Sequence, residues 1–264
     1  MIRHLKKKAM EKKNSFVPIM PLMDHLDELR RRLFWCLGVV GVAAGASMYG
    51  VQPIIELLKH AGRITEPLIL IKPTEIVSIY VKISLAAGTV IASPVIAWHT
   101  GKFLSPAVND HLKKMFLWWI VSLFFLFAAG VAFAYFVMIP VGYGFLMNLA
   151  RSVATPMITL NNYISFTLAI LVMGGLVFEM PAVAAVLGKA GIITAGMLRA
   201  RRREAIFGLA IAAAVITPTT DIFNMLVFFI PMLVLYEVSI LVVSCQRPHQ
   251  TIESYGGDNG YKKV

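Results

Sequence analysis

From Met115 to Ala150 the chain carries no acidic, basic or histidine side chain. A segment of that kind has to lie in a bilayer or be wrapped on every side by other chain. A bilayer-crossing helix takes about 20 apolar residues, so this stretch is too long for one crossing and too short for two joined by a turn. Pro140, Gly142 and Gly144 offer a break, which places the end of this crossing, the third, near Ile139.

The other apolar runs give a first crossing from about Leu33 to Gly50 and a second from about Ile83 to His99. A fourth runs from about Ile164 to Leu187, a fifth from about Ala205 to Thr217 and a sixth from about Phe223 to Val243. The fifth is short for a bilayer, which implies local thinning, shielding by a partner, or a little-tilted helix with snorkelling ends. With 58% hydrophobic and 15% charged residues over 264 positions, a soluble domain could not hide the apolar surface. The fold class expected is therefore an all-α integral membrane protein of six transmembrane helices. Residues 1–21 form a basic cytoplasmic tail, 22–243 a single transmembrane domain that opens with an amphipathic helix, and 244–264 a second cytoplasmic tail.

The net charge of +11 does not point to nucleic acid, because the cations cluster at the ends of apolar runs as topology signals do. On this span pattern nine Lys and Arg fall before the first crossing, three in the second loop, five in the fourth and three in the C-terminal tail, twenty of the 25 in all. Lys59, Arg63, Lys72, Lys82 and Arg151 remain on the other side. The positive-inside rule then puts both termini in the cytoplasm. A cleaved signal peptide fits the basic start and the small residues Ala44 to Ser47 only superficially, since more than thirty residues precede a long apolar run.

Residues 22–33 read as an amphipathic helix lying along the membrane surface. Leu22, Leu26, Leu29 and Leu33 share one face, Asp24 is a candidate N-cap, and Glu28 and Arg30 point off the apolar stripe. Such a helix can present a carboxylate to a cationic ligand; a plain topology anchor is the alternative.

Glu179 is the only acidic or basic residue from Ser152 to Gly188. A carboxyl inside a crossing is a site candidate, for proton uptake or a polar contact with another helix, although a neutral acid packed in the bundle has the same sequence signature. Pro181 makes a kink beside it. Asp221 reads as the N-cap of the last crossing, Glu75 as a helix start and Glu237 as an interfacial acid. The sequence has no Walker A, HExxH or GxSxG motif and no Cys/His metal spacing, so neither an enzyme nor a cofactor is expected. Of six scattered histidines only His25 stands among candidate residues.

HLDELRRRL, IKPTEI, SPVI, FLSPAV, AFAYF followed by Pro140, NNYISF, FEMP, ITPTTD and IPMLVLYE occur in that order between residues 22 and 243. Their order and spacing resemble the TatC family, the multispanning receptor subunit of the twin-arginine protein translocase. The resemblance implies a concave helical bundle in a bacterial inner membrane. It also implies binding of twin-arginine signal peptides of folded cargo, assembly with TatA-like and TatB-like single-span partners, self-association in the receptor complex, and transport driven by the proton motive force. Under it Glu28 corresponds to the signal-peptide-binding glutamate, with Arg30 following it, and Phe103 to an aromatic in the first cytoplasmic loop. Glu179 corresponds to the membrane-embedded glutamate that contacts partner helices. Pro94 and Asp221 match recurrent positions of less defined role.

Paired guanidinium groups suit carboxylate partners, whose bidentate geometry separates arginine from lysine. The expectation is that Arg30, Arg31 and Arg32 face lipid phosphates while Glu28 faces a groove with the second crossing and its loop. Where the family usually has a second glutamate this chain has Leu112. Asp110 or a partner's acid would then supply the second carboxylate, unless binding is weaker or its specificity altered. Two other classes remain: a proton-coupled transporter built on Glu179 with Asp221 or Glu237, and a membrane scaffold.

Overall fold

The computed structural model describes residues 22–64, 67–104, 113–189, 191–217, 219 and 221–246. Among them the chain is helical apart from its turns and one isolated parallel bridge between Ile69 and Thr159. Five helical segments are long and apolar enough to cross a membrane: Leu26–Ala61, Glu75–Lys102, Trp119–Arg151, Leu160–Lys189 and Ile222–Ser244.

Helix α1 (Leu22–Ser47) passes through a 3-10 turn at Met48–Gly50 into α2 (Val51–Ala61). The segment read as an amphipathic helix forms the first turns of α1, and Asp24, read as an N-cap, falls within that helix. Nothing between Leu26 and Ala46 breaks a helix, so the apolar stripe of Leu26, Leu29 and Leu33 simply runs on into the crossing; all three are exposed, as lipid-facing residues are. Against α1 packs α3 (Glu75–Leu104). A Cβ on Gly88 would stand 2.6 Å from the Ala44 backbone nitrogen, so the two helices touch through small residues. Pro94 lies within α3, where it cannot donate to the Val90 carbonyl; the Ser93 hydroxyl donates to that oxygen instead at 2.7 Å.

The uncharged stretch does not break near Ile139. Helix α4 (Lys113–Phe133) continues through a π-helical segment, Ala134–Met138, into α5 (Ile139–Arg151). The Ile139 N–H reaches back to the Ala134 carbonyl, and this wider turn accommodates Pro140, which a regular α-helix would not. One long, deformed helix thus replaces the helix and break read from the sequence.

Helix α6 (Leu160–Phe178) begins where the Ile69 carbonyl accepts the otherwise orphaned Leu160 N–H at 2.9 Å. It ends in the expected kink at Glu179, beyond which α7 (Met180–Lys189) continues with Pro181 buried. The short α8 (Ala195–Ala200) precedes α9 (Arg202–Ile216), whose 15 residues fall below crossing length, and α10 (Ile222–Ser244) closes the described chain. The central core joins Met138, Ile139, Ile170, Val177, Phe228 and Met232 from four helical segments. A second core, around Val51, Ile79, Ile83, Tyr143 and Tyr163, packs α2, α3, α5 and α6 together.

Candidate functional site

The first turns of α1 place Glu28 four residues before Arg32, the favourable order for a helical carboxylate–guanidinium pair. The Arg32 Nε donates to Glu28 Oε1 at 3.0 Å and its Nη2 donates to the same oxygen. Its Nη1 lies 3.4 Å from the backbone carbonyl of His99, near the carboxyl end of α3. The Arg32 and Glu28 side chains are only 18% and 20% exposed, so the pair is partly dehydrated and its charge-assisted bonds are correspondingly strong. Arg30 meets Asp27 at 3.5 Å with both side chains about 70% exposed (72% and 70%), a contact that contributes little.

This geometry corrects the expectation that all three arginines face lipid phosphates. Arg32 turns inward and occupies Glu28, because its spacing along the helix puts the two side chains on one face. Glu28 nonetheless lies against α3, through the Arg32 contact to His99. Both Arg32 donors converge on Oε1, so among the described residues Arg32 leaves Oε2 able to accept another guanidinium. His99, not among the sequence candidates, belongs to this cluster through its carbonyl, and its Nδ1 is buried with no hydrogen-bond partner among the described residues.

Phe103 lies in the last turn of α3, at the same end of the bundle as Glu28. Asp110 and Leu112 lie outside the described residues.

The remaining candidates do not form one cluster. Glu179 sits at the α6–α7 junction, partly buried, and its Oε2 has no hydrogen-bond partner among the described residues. Asp221 caps α10: its Oδ1 accepts the Asn224 N–H at 2.7 Å and its Oδ2 accepts the Asn224 side-chain amide at 2.8 Å. Burial alone would raise the Asp221 carboxyl, but the Asn224 backbone, Thr219 and the Asn224 side chain outweigh it and hold it below the usual carboxylate range. Pro94 is exposed and borders an apolar groove of about 740 Å³ that Phe124, Phe127, Tyr135 and Leu168 also line. Glu237, the other acid considered for proton coupling, is paired with Arg202 at 2.6 Å. Among the described residues no three His, Cys, Asp or Glu stand together as a metal site.

Two polar groupings lie outside the sequence expectations. The Glu28–Arg32 pair was legible from its four-residue spacing. Lys82, counted with the loops, sits inside α3 and donates to Asn161 Oδ1 at 2.9 Å and to Ser165 Oγ at 2.8 Å, both from α6. No local pattern signals that tertiary contact.

Comparison with known proteins gives the family of the chain. Residues 24–231 match the family model for the Sec-independent protein translocase protein (TatC). The chain is 39% identical over 228 residues to the Sec-independent protein translocase protein TatC of Aquifex aeolicus, covering 84% of this chain and 94% of that one. It is 32% identical to the same protein of Koribacter versatilis, covering 87% of each. It also superposes on a crystal structure of the twin-arginine translocase receptor TatC with a TM-score of 0.75 and 38% identity, over 83% of this chain and 98% of the solved one. The chain is a multi-pass membrane protein that belongs to the TatC family of Sec-independent protein translocase proteins.

Proposed function

We propose that this protein is the receptor subunit of a twin-arginine translocase, binding twin-arginine signal peptides of folded cargo at Glu28 on the cytoplasmic face of a bacterial inner membrane. The observation that carries the reading is Glu28 itself, a partly dehydrated carboxylate that already holds a guanidinium, at the end of the bundle where the last turn of α3 holds Phe103. Phe103 and Arg30 take part in peptide recognition in this reading, as their match to the family's positions implies. The second arginine is taken by Asp110 or by an acid of a partner subunit, since Leu112 stands where the family usually has a glutamate.

In this reading α9 is the fifth of six crossings and α10 the sixth. The 15 residues of α9 span roughly 22 Å at 1.5 Å per residue, against about 30 Å of hydrocarbon, so the bilayer thins beside it. An even number of crossings and the distribution of Lys and Arg support cytoplasmic termini, and membership of the family supports a concave bundle. Glu179, whose Oε2 has no partner among the described residues and which lies inside a crossing, is the contact for the TatA-like and TatB-like single-span partners, and self-association builds the receptor complex. Transport draws on the proton motive force.

Photo-crosslinking of the membrane-embedded protein to a twin-arginine signal peptide, with a twin-lysine peptide as control, tests the site. Selective crosslinks near Glu28 and Phe103, abolished by Glu28→Gln, are expected. Equal crosslinking of both peptides, or selectivity that survives Glu28→Gln, refutes the assignment.

A further inference from the structure

The Glu28 site is already filled by its own chain. Arg32 places two donors on Glu28 Oε1 and a third toward the His99 carbonyl, with both side chains largely shielded from water. We infer that Arg32 is an internal competitor for Glu28, one that an incoming signal-peptide arginine has to displace. The inference rests on the reading of Glu28 as the peptide site.

The chemistry of the exchange is balanced. The incoming group is a guanidinium and so is the group it replaces, so Glu28 trades one forked donor for another. Arg32 is tethered one helical turn away, and its effective concentration does not fall when free peptide is dilute. Only a ligand that gains something further binds well: Oε2, which Arg32 leaves open, a second arginine held elsewhere, or apolar contact along α3.

Competition of this kind sets a threshold rather than a ratio. Every ligand that needs Glu28 loses the same factor, the fraction of receptor in which Arg32 has let go. The preference for arginine over lysine therefore belongs to Glu28, while Arg32 pushes weakly cationic peptides below useful occupancy and lets a bound peptide leave. A pair arranged only to hold the Glu28 rotamer would act in the opposite direction, because its loss would weaken binding.

The test is equilibrium binding of twin-arginine and twin-lysine peptides to the full-length protein in nanodiscs at fixed salt. Arg32→Gln is expected to tighten both peptides by about tenfold, the worth of about one charge-assisted contact, with their ratio unchanged. Arg32→Lys, which keeps the charge but loses the fork, is expected to fall between that variant and the native protein, and serves if Arg32→Gln does not fold. In a Glu28→Gln background, Arg32→Gln is expected to bring no tightening. Unchanged or weaker binding in both Arg32 variants overturns the inference, and so does tightening that persists without Glu28, which would be bulk repulsion. If Glu28→Gln alone leaves binding of the twin-arginine peptide unaltered, the Glu28 site itself is wrong, a result separable from the others.

Discussion

Gly130 and Gly174 meet backbone to backbone: a Cβ on Gly130 would stand 2.5 Å from the Gly174 carbonyl oxygen, and one on Gly174 would stand 2.8 Å from the Ala134 Cβ. Lipid tails are as apolar as leucine, so helices in a bilayer associate through close packing rather than through escape from water. The α4–α6 contact is therefore set by the absence of side chains. Gly130→Ala is expected to destabilise the protein by about 1–3 kcal/mol, the usual cost of overpacking. Gly144, whose Cβ would meet nothing within 4 Å, provides the control. Thermal unfolding in detergent should show a lower midpoint for Gly130→Ala and none for Gly144→Ala; equal midpoints would remove the close contact as the cause.

The Lys82 ammonium is held by two neutral oxygens, from Asn161 and Ser165. Deleting the acceptors strands a half-buried cation, whereas deleting the cation leaves two groups that are individually cheap to expose. Asn161→Ala combined with Ser165→Ala is thus expected to lower stability by about 1–3 kcal/mol, and Lys82→Met by less. Thermal midpoints of the two variants decide it, and the reverse order would refute the asymmetry.

The folded state holds the Asp221 carboxyl below its ordinary range, with the Asn224 backbone N–H as the main cause that lowers it. A depressed folded pKa contributes stability that is fully present above the unfolded value, about 3.9, and is lost as pH falls through the lower folded value. Native protein should therefore lose thermal stability as pH drops below about 4, with Asp221→Asn, which keeps an acceptor but no charge, losing less over the same window. Asp221→Ala should cost about 1 kcal/mol at neutral pH through loss of the helix cap. Parallel acid profiles for the native and Asn proteins would mean that Asp221 carries none of this dependence.

The helices were legible in the sequence because their signal is the length of an apolar run, which the bilayer dictates. Where one helix ended was less so. Pro140 reads as a break, but the π turn at Ala134–Met138 absorbs the missing N–H and carries the helix onward. The leucine stripe at 26–33 reads as an amphipathic helix, and the sequence does not show that it is continuous with the helix that follows. Glu28 and its local ion pair could be read from i,i+4 spacing; His99 reaches that pair only through the α1–α3 contact, and Lys82 reaches Asn161 only through the α3–α6 contact. Neither contact leaves a trace in local pattern.

Glu179 separates folding from assembly. Its carboxyl is partly buried at the α6–α7 junction and its Oε2 has no hydrogen-bond partner among the described residues, so an amide is expected to serve the folded chain equally well. Glu179→Gln keeps the shape and removes the ability to ionise, and its effect on stability is expected to stay within about 0.5 kcal/mol. A single-span partner that offers a polar group to this carboxyl would sense the change directly, since a hydrogen bond between helices in lipid is worth about 0.6–2 kcal/mol. Site-specific crosslinking between the α6–α7 kink and co-expressed single-span subunits should therefore fall severalfold in Glu179→Gln while the thermal midpoint holds. A variant that unfolds early yet still crosslinks would make Glu179 a structural acid and move the partner contact elsewhere in the bundle.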